Sequence, residues 1–127
     1  MISTAQRIRV LIADDHPVVR EGLSSIIDHQ SDMIVAARAT TGAEAVCYCG
    51  ALRPDVVLMD LSMPEMDGVE ATRVIHKSCP ETRIFVLTVY PGDASIAHAI
   101  QAGASAYVLK SAPVEELLAA IRTVHIE

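Results

Sequence analysis

No stretch of this sequence stays apolar for the roughly 20 residues that a membrane-spanning helix needs. The opening MISTAQRIRV has neither the apolar region nor the cleavage site of a secretory signal. A basic patch is also missing. The 10 Lys and Arg are scattered among 16 Asp and Glu, for a net charge of -6. Duplex DNA is held through Lys and Arg facing phosphates, so this chain alone is a poor DNA binder. The cysteines, Cys47, Cys49 and Cys79, are odd in number and include a C-x-C pair. That excludes a paired disulfide framework and a two-pair zinc site and leaves reduced thiols. No repeat, low-complexity stretch or Pro/Gly/Ser linker divides the 127 residues. One soluble, cytoplasmic domain with a single core is expected, and no membrane partner.

What is present is an alternation. IRVLIADD is a β-rich run ending in two Asp. HPVVREGLSSIIDHQ follows with Val19, Leu23, Ile26 and Ile27 at helical spacing and Pro17 suited to a first turn. MIVAARA is a weaker strand. TTGAEAVCYCGAL opens with Thr41 three residues before Glu44, a capping-box pattern. DVVLMD is wholly apolar up to its last residue. In DGVEATRVIHKS, Asp67 is the expected N-cap, with Glu70 three residues on. RIFVLT is a fourth strand, and GDASIAHAIQAG an Ala-rich helix stopped by Gly103. SAYVLK is a fifth strand. SAPVEELLAAIRTVHIE is the last helix, with Ser111 as N-cap and Leu117, Leu118, Ile121 and Val124 on its apolar face. Five strands alternating with five helices predict an α/β fold, a mainly parallel sheet with helices on both faces.

In a parallel sheet all strand C-termini share one edge, where open α/β sheets bind ligands. Asp14 and Asp15 end the first strand, Asp60 the third, Thr88 the fourth and Lys110 the fifth. In a 2-1-3-4-5 order the three carboxylates converge. A lone Asp at a strand end is ordinarily a turn or N-cap residue, and a lone Lys or Thr there is ordinarily unremarkable. It is the conjunction at one edge that points to a site. Three crowded carboxylates repel, so one takes up a proton unless a cation intervenes. Oxygen-only donors favour a hard ion such as Mg²⁺. Lys110 adds a fixed positive charge and Thr88 a hydroxyl, parts that suit a phosphoryl group on a carboxylate. His16 follows the acidic pair. Ahead of Pro17, it reads as a helix-entry residue rather than a metal ligand. His29, His76, His98 and His125 read as solvated.

ADDH, DVVLMDLSMPEMDG, VLTVY and GASAYVLK together resemble the response-regulator receiver domain of two-component signalling, over nearly the whole chain. ADDHPVVREGL and LTVYPGD resemble the receivers that precede a LuxR/NarL-type helix-turn-helix. The resemblance implies the doubly wound, flavodoxin-like five-stranded fold in order 2-1-3-4-5. It implies Asp60 as the phosphoacceptor for a sensor histidine kinase and Mg²⁺ as cofactor. Asp15 would be the direct metal ligand, Asp14 would act through water, and Ser62 would ligate through its backbone carbonyl. Lys110 would pair with the phosphate, Thr88 would be the switch hydroxyl, and Tyr107 the aromatic that turns inward. Pro64 and Gly68 match the loop after the acceptor. The output face would be the fourth helix and fifth strand, with the Ala-rich helix mobile. Homodimerisation on activation is implied, and DNA contact only through a C-terminal domain absent from this chain.

Two departures stand out. Val89 follows Thr88 where the family often has Ala, Gly or Ser, which predicts narrower access to the phosphoryl site. Ser111 follows Lys110 where many relatives have Pro, so no cis X-Pro bond shapes that loop. The rival readings are a flavodoxin-like cofactor binder, which DDHP after the first strand disfavours, and an aspartyl phosphatase, which lacks an acid two residues after Asp60. A third rival is an unphosphorylated dimerisation scaffold. The expected role is signalling, not turnover of a separate substrate.

Overall fold

The computed structural model describes residues 7–89, 92 and 94–126, with side chains up to 123. Val124 and His125 of the last helix, and Tyr90, Pro91 and Asp93 of the LTVYPGD stretch, therefore lie outside the described residues or side chains. The elements run β1 (Ile8–Ala13), α1 (Pro17–Asp28), β2 (Met33–Ala39), α2 (Gly42–Leu52), β3 (Val56–Asp60), α3 (Gly68–Ser78), β4 (Arg83–Thr88), α4 (Ala94–Ala102), β5 (Ala106–Leu109) and α5 (Val114–Ile126). The strands form one sheet in the order β2-β1-β3-β4-β5, and every pairing is parallel.

Alternation within the strands builds two cores. Leu11, Val57, Met59, Ile84 and Val86 face Ala45, Cys49, Ala71, Ile75 and Ala99 of α2, α3 and α4. Val10, Ile12, Val56, Leu58, Phe85 and Leu87 face Ile27, Leu117, Leu118 and Ile121 of α1 and α5. All five residues of β3 are buried, which is why its sequence is a continuous apolar run. Each such side chain contributes about 1.5–3 kcal/mol of transfer free energy.

The helix ends follow the sequence with two changes. Pro17 occupies the first turn of α1, as expected. Thr41 Oγ1 accepts from the Glu44 N–H at 3.0 Å. The return arm goes elsewhere: Glu44 accepts from both the backbone N–H and the hydroxyl of Thr40, each at 2.7 Å. Asp67 caps α3 by accepting from Glu70 N–H at 2.9 Å. Gly103 ends α4 with φ at 124°, and a Cβ there would lie 2.6 Å from His76 Cδ2. Ser111 does not cap α5, because that helix begins three residues later at Val114. Lys110 and Ser111 lie instead in a turn closed by Ala112 N–H donating to Leu109 C=O at 3.0 Å. The helix start had to wait until Pro113 was passed, since a residue before proline avoids helical geometry.

Arg122 ties α5 to the entrance of β2. Its Nε and Nη2 donate to the two carboxylate oxygens of Asp32 at 2.7 and 2.9 Å, and Nη2 also reaches Gln30 Oε1 at 2.9 Å. Hydrogen bonding from Arg122 holds the Asp32 carboxyl below the usual range, against a smaller cost of burial. Because the folded value is depressed, the stabilisation is complete above the unfolded carboxylate value of about 3.9 and is lost as pH falls through the folded one. Asp32→Asn is expected to cost about 0.5–1 kcal/mol at neutral pH. In urea unfolding this difference should shrink when both states are protonated in acid. A constant difference across pH would show that charge is not the cause.

Candidate functional site: an acidic pocket at the strand C-termini

Register brings the acids together. Ala13 of β1 pairs with Met59 of β3, so Asp14 emerges beside Asp60. The Asp14 side chain is fully buried and that of Asp60 is 6% exposed. Lys110, just beyond β5, is 19% exposed, and its Nζ lies 3.2 Å from Asp14 Oδ2 and 3.2 Å from Asp60 Oδ1. Lys110 is thus ion-paired to both buried carboxylates at once. A cavity of about 230 Å³ opens over these groups, lined by Asp60, Ser62, Thr88, Val89, Lys110 and His16 among others.

The loop after β3 is pinned around Asp60. Gly68 N–H donates to Leu61 C=O at 3.0 Å, and Ser62 N–H points at Asp60 Oδ1 from 3.5 Å. A Cβ at Gly68 would collide with the Asp60 carbonyl oxygen and lie 2.7 Å from Leu61 Cα. Only glycine permits this approach of α3 to the strand end. Beside it, Gly42 at the start of α2 packs directly on the Met66 carbonyl.

Electrostatics are strained. Burial, followed by repulsion from Asp14, pushes the Asp60 carboxyl above its ordinary value, although Lys110 pulls the other way. Sequence reasoning expected Lys110 to favour the charged form. It does so, but burial and Asp14 outweigh it. For Lys110 burial is a cost to the ammonium, yet Asp60 and Asp14 together leave its value raised. Asp14 Oδ2, Asp15 Oδ1 and Asp60 Oδ2 are buried oxygens without a hydrogen-bond partner. Leaving such acceptors unmet is costly. A donor set of this kind fits a hard dication, and the acidic pocket can hold one.

The site residues named from sequence fall as follows. Asp14, Asp15, Asp60 and Lys110 form one cluster. Thr88 and Ser62 sit on the cavity wall. Tyr107 stands apart on β5, half-exposed, opposite Val86 of β4. Arg20 was not anticipated, and His16, placed at the helix entry as expected, makes contacts that were not. His16 is the N-cap residue of α1 but makes no side-chain cap bond. Its Nδ1 instead lies 3.1 Å from Asp14 Oδ1 and 3.2 Å from Asp15 Oδ1. Arg20 Nη1 donates to the Asp14 backbone carbonyl at 2.8 Å, tying α1 to the end of β1. The i+2 spacing of His16 from Asp14 was the available signal, since an Asp side chain commonly accepts from the backbone two residues on. Asp14 does so here, at 2.8 Å, and the N-cap position falls to His16.

A buried phosphoacceptor-like carboxylate, paired acids and a lysine at the strand ends of a 2-1-3-4-5 sheet define a receiver-type signalling domain. The chain belongs to the response regulator receiver domain family, whose match covers residues 10–122. It is 48% identical over 118 residues to the oxygen regulatory protein NreC of Staphylococcus aureus, covering 92% of this chain and 54% of NreC. The chain thus spans about half the length of the curated relatives it matches. A LuxR-family two-component response regulator from Aurantimonas sp. SI85-9A1 superposes with a TM-score of 0.88 at 38% identity, covering 94% of this chain and 86% of that one. The receiver domain of the putative regulator NarL from Mycobacterium tuberculosis gives 0.89 at 30% identity, with 94% and 97% covered. No helix among the described residues is long and apolar enough to cross a membrane.

Proposed function

We propose that Asp60 accepts a phosphoryl group from the phosphohistidine of a cognate sensor histidine kinase, in the cytoplasm, and that the resulting charge switches the domain. The observation carrying this reading is the crowding of the buried Asp14 and Asp60 carboxylates, with Asp15 beside them, around Lys110. Asp15, Asp14 through water, Asp60 and the Ser62 carbonyl would hold Mg²⁺, which when bound supplies charge neutralisation for the incoming phosphoryl oxygens. An Asp60 carboxylate oxygen attacks phosphorus in line. The P–N bond breaks, its electron pair stays on the imidazole nitrogen, and an acyl phosphate remains on Asp60. Lys110 is already within ion-pair distance and pairs with the new dianion. The work is positioning and electrostatics rather than covalent chemistry.

Phosphorylation adds roughly two negative charges and strong acceptor oxygens. Thr88, at the end of β4, donates its hydroxyl to one of them, and Tyr107 turns into the space vacated. The equilibrium between two conformations shifts accordingly. The domain promotes only its own phosphorylation and dephosphorylation. Likeness to LuxR-family regulators supports a longer protein in which this single receiver unit pairs with a copy of itself and controls transcription. DNA contact would then come through a separate C-terminal helix-turn-helix domain.

Incubation with acetyl phosphate and Mg²⁺, followed by intact mass, tests the acceptor. Wild type is expected to gain one phosphoryl group and Asp60→Asn none. No gain in wild type, or equal gain in both, removes Asp60 from the role. Val89 is 59% exposed on the cavity rim. Val89→Ala is expected to speed labelling or loss of the phosphoryl group severalfold, read from the same time courses, and unchanged rates would dismiss a gate at that position.

A further inference from the structure

The imidazole of His16 is unexplained by the fold. It is 62% exposed and makes no cap bond to α1, so helix formation does not need it. It is nonetheless aimed. The residue precedes Pro17, which restricts it to extended geometry, and its φ of -93° and ψ of 113° obey that restriction. Its N–H donates to Asp14 Oδ1 at 2.8 Å. This turn carries the ring back over the acids, with Nδ1 3.1 Å from Asp14 Oδ1 and 3.2 Å from Asp15 Oδ1. One donor atom from each of Asp14, Asp15, His16 and Asp60 lies within 4.8 Å of all the others. Asp60 Oδ2, on a side chain of that cluster only 6% exposed, has no hydrogen-bond partner.

We infer that His16 supplies a nitrogen donor to the dication held by Asp14, Asp15 and Asp60, and so biases this pocket toward borderline first-row dications such as Co²⁺ over Mg²⁺. This rests on the dication reading of the pocket given above. Carboxylate and water oxygens serve Mg²⁺, which keeps an oxygen shell and gains little from imidazole. Imidazole donors gain value along the series from Mn²⁺ toward Zn²⁺. The competing role for the ring is an imidazolium that merely neutralises Asp14 and Asp15. That role would weaken with any bound cation and would not distinguish between metals.

Calorimetric titration of wild type and His16→Ala with Mg²⁺ and with Co²⁺, together with pulsed EPR of the Mn²⁺-loaded proteins, separates the two. The ring makes no cap bond, so His16→Ala is expected to fold. Removing His16 is expected to weaken Co²⁺ at least tenfold while Mg²⁺ changes less than twofold. A nitrogen coupling on bound Mn²⁺ should be present in wild type and absent in His16→Ala. Equal changes for both metals, or no nitrogen coupling in wild type, overturn the role of His16 and leave the dication site standing. No binding of Mg²⁺ or Mn²⁺ to either protein overturns the site itself, and His16 with it. Asp15→Asn separates this pocket from surface histidines, because binding that survives it lies elsewhere and also counts against His16.

Discussion

Asp60→Asn is expected to melt higher than wild type in metal-free buffer at neutral pH. Asp60 is nearly sealed from water beside the fully buried Asp14, and burial followed by that neighbour raises its carboxyl value in the folded state. A folded-state value above the unfolded one means that the native protein binds a proton where the unfolded chain does not. Stability therefore falls as pH rises from about 3.9 through the folded value, and the whole cost is present above it. Asparagine keeps the shape and removes the charge, leaving Lys110 to Asp14. A rise of about 3–6 °C, on the order of 1 kcal/mol for a domain of this size, is expected with EDTA. The gap should close at low pH, where Asp60 is protonated. Added Mg²⁺ should raise the melting temperature of wild type more than that of the variant. A variant that melts level with wild type, or lower, in EDTA at neutral pH contradicts the repulsion described for this pocket.

Gly68→Ala should be strongly damaging for the addition of a single methyl group. The atoms nearest the added carbon are all backbone: the Asp60 carbonyl, and Leu61 Cα at 2.7 Å. Neither is the free end of a side chain that can swing away. The hydrogen bond from Gly68 N–H to Leu61 C=O draws α3 and the strand end together, so relief of the clash must displace the peptide that carries Asp60. A loss of about 2–3 kcal/mol is expected from such overpacking, measured by denaturant unfolding. A fall in acetyl phosphate labelling larger than the unfolded fraction explains should accompany it. Gly22→Ala is the control, since nothing lies within 4 Å of its added carbon. If both variants behave alike, the close approach at Gly68 is not what constrains the loop.

Much of this was legible in the residues because it depends on local pattern. The wholly apolar VVLM ahead of Asp60 announces a strand buried on both faces, and Val56–Asp60 is that strand. Thr41 and Asp67 announce helix starts because a cap is decided within four residues. The convergence of Asp14, Asp60 and Lys110 was readable once parallel strands were assumed, as their C-termini must share an edge. Contacts set by rotamers and by distant partners were not readable. The reach of Arg20 to the Asp14 carbonyl belongs to this kind. So does the start of α5, where Ser111 offered a cap but Pro113 deferred the helix. The raised value of Asp60 agrees with the expectation that one of the crowded acids takes up a proton when no cation intervenes, but that burial is its largest cause was not readable from spacing.

The thiols offer a practical opening. Cys49 is sealed in the core with its thiol pushed up to about 12, mainly by burial and further by Cys79, and Cys79 is buried as well. Cys47, exposed on the outside of α2, is the cysteine that a maleimide dye can reach without unfolding the chain. The same helix begins at Gly42, in touch with the loop that follows Asp60. A dye on Cys47 therefore sits on a helix that touches that loop, and the unmutated protein can be labelled at one site to follow it in real time.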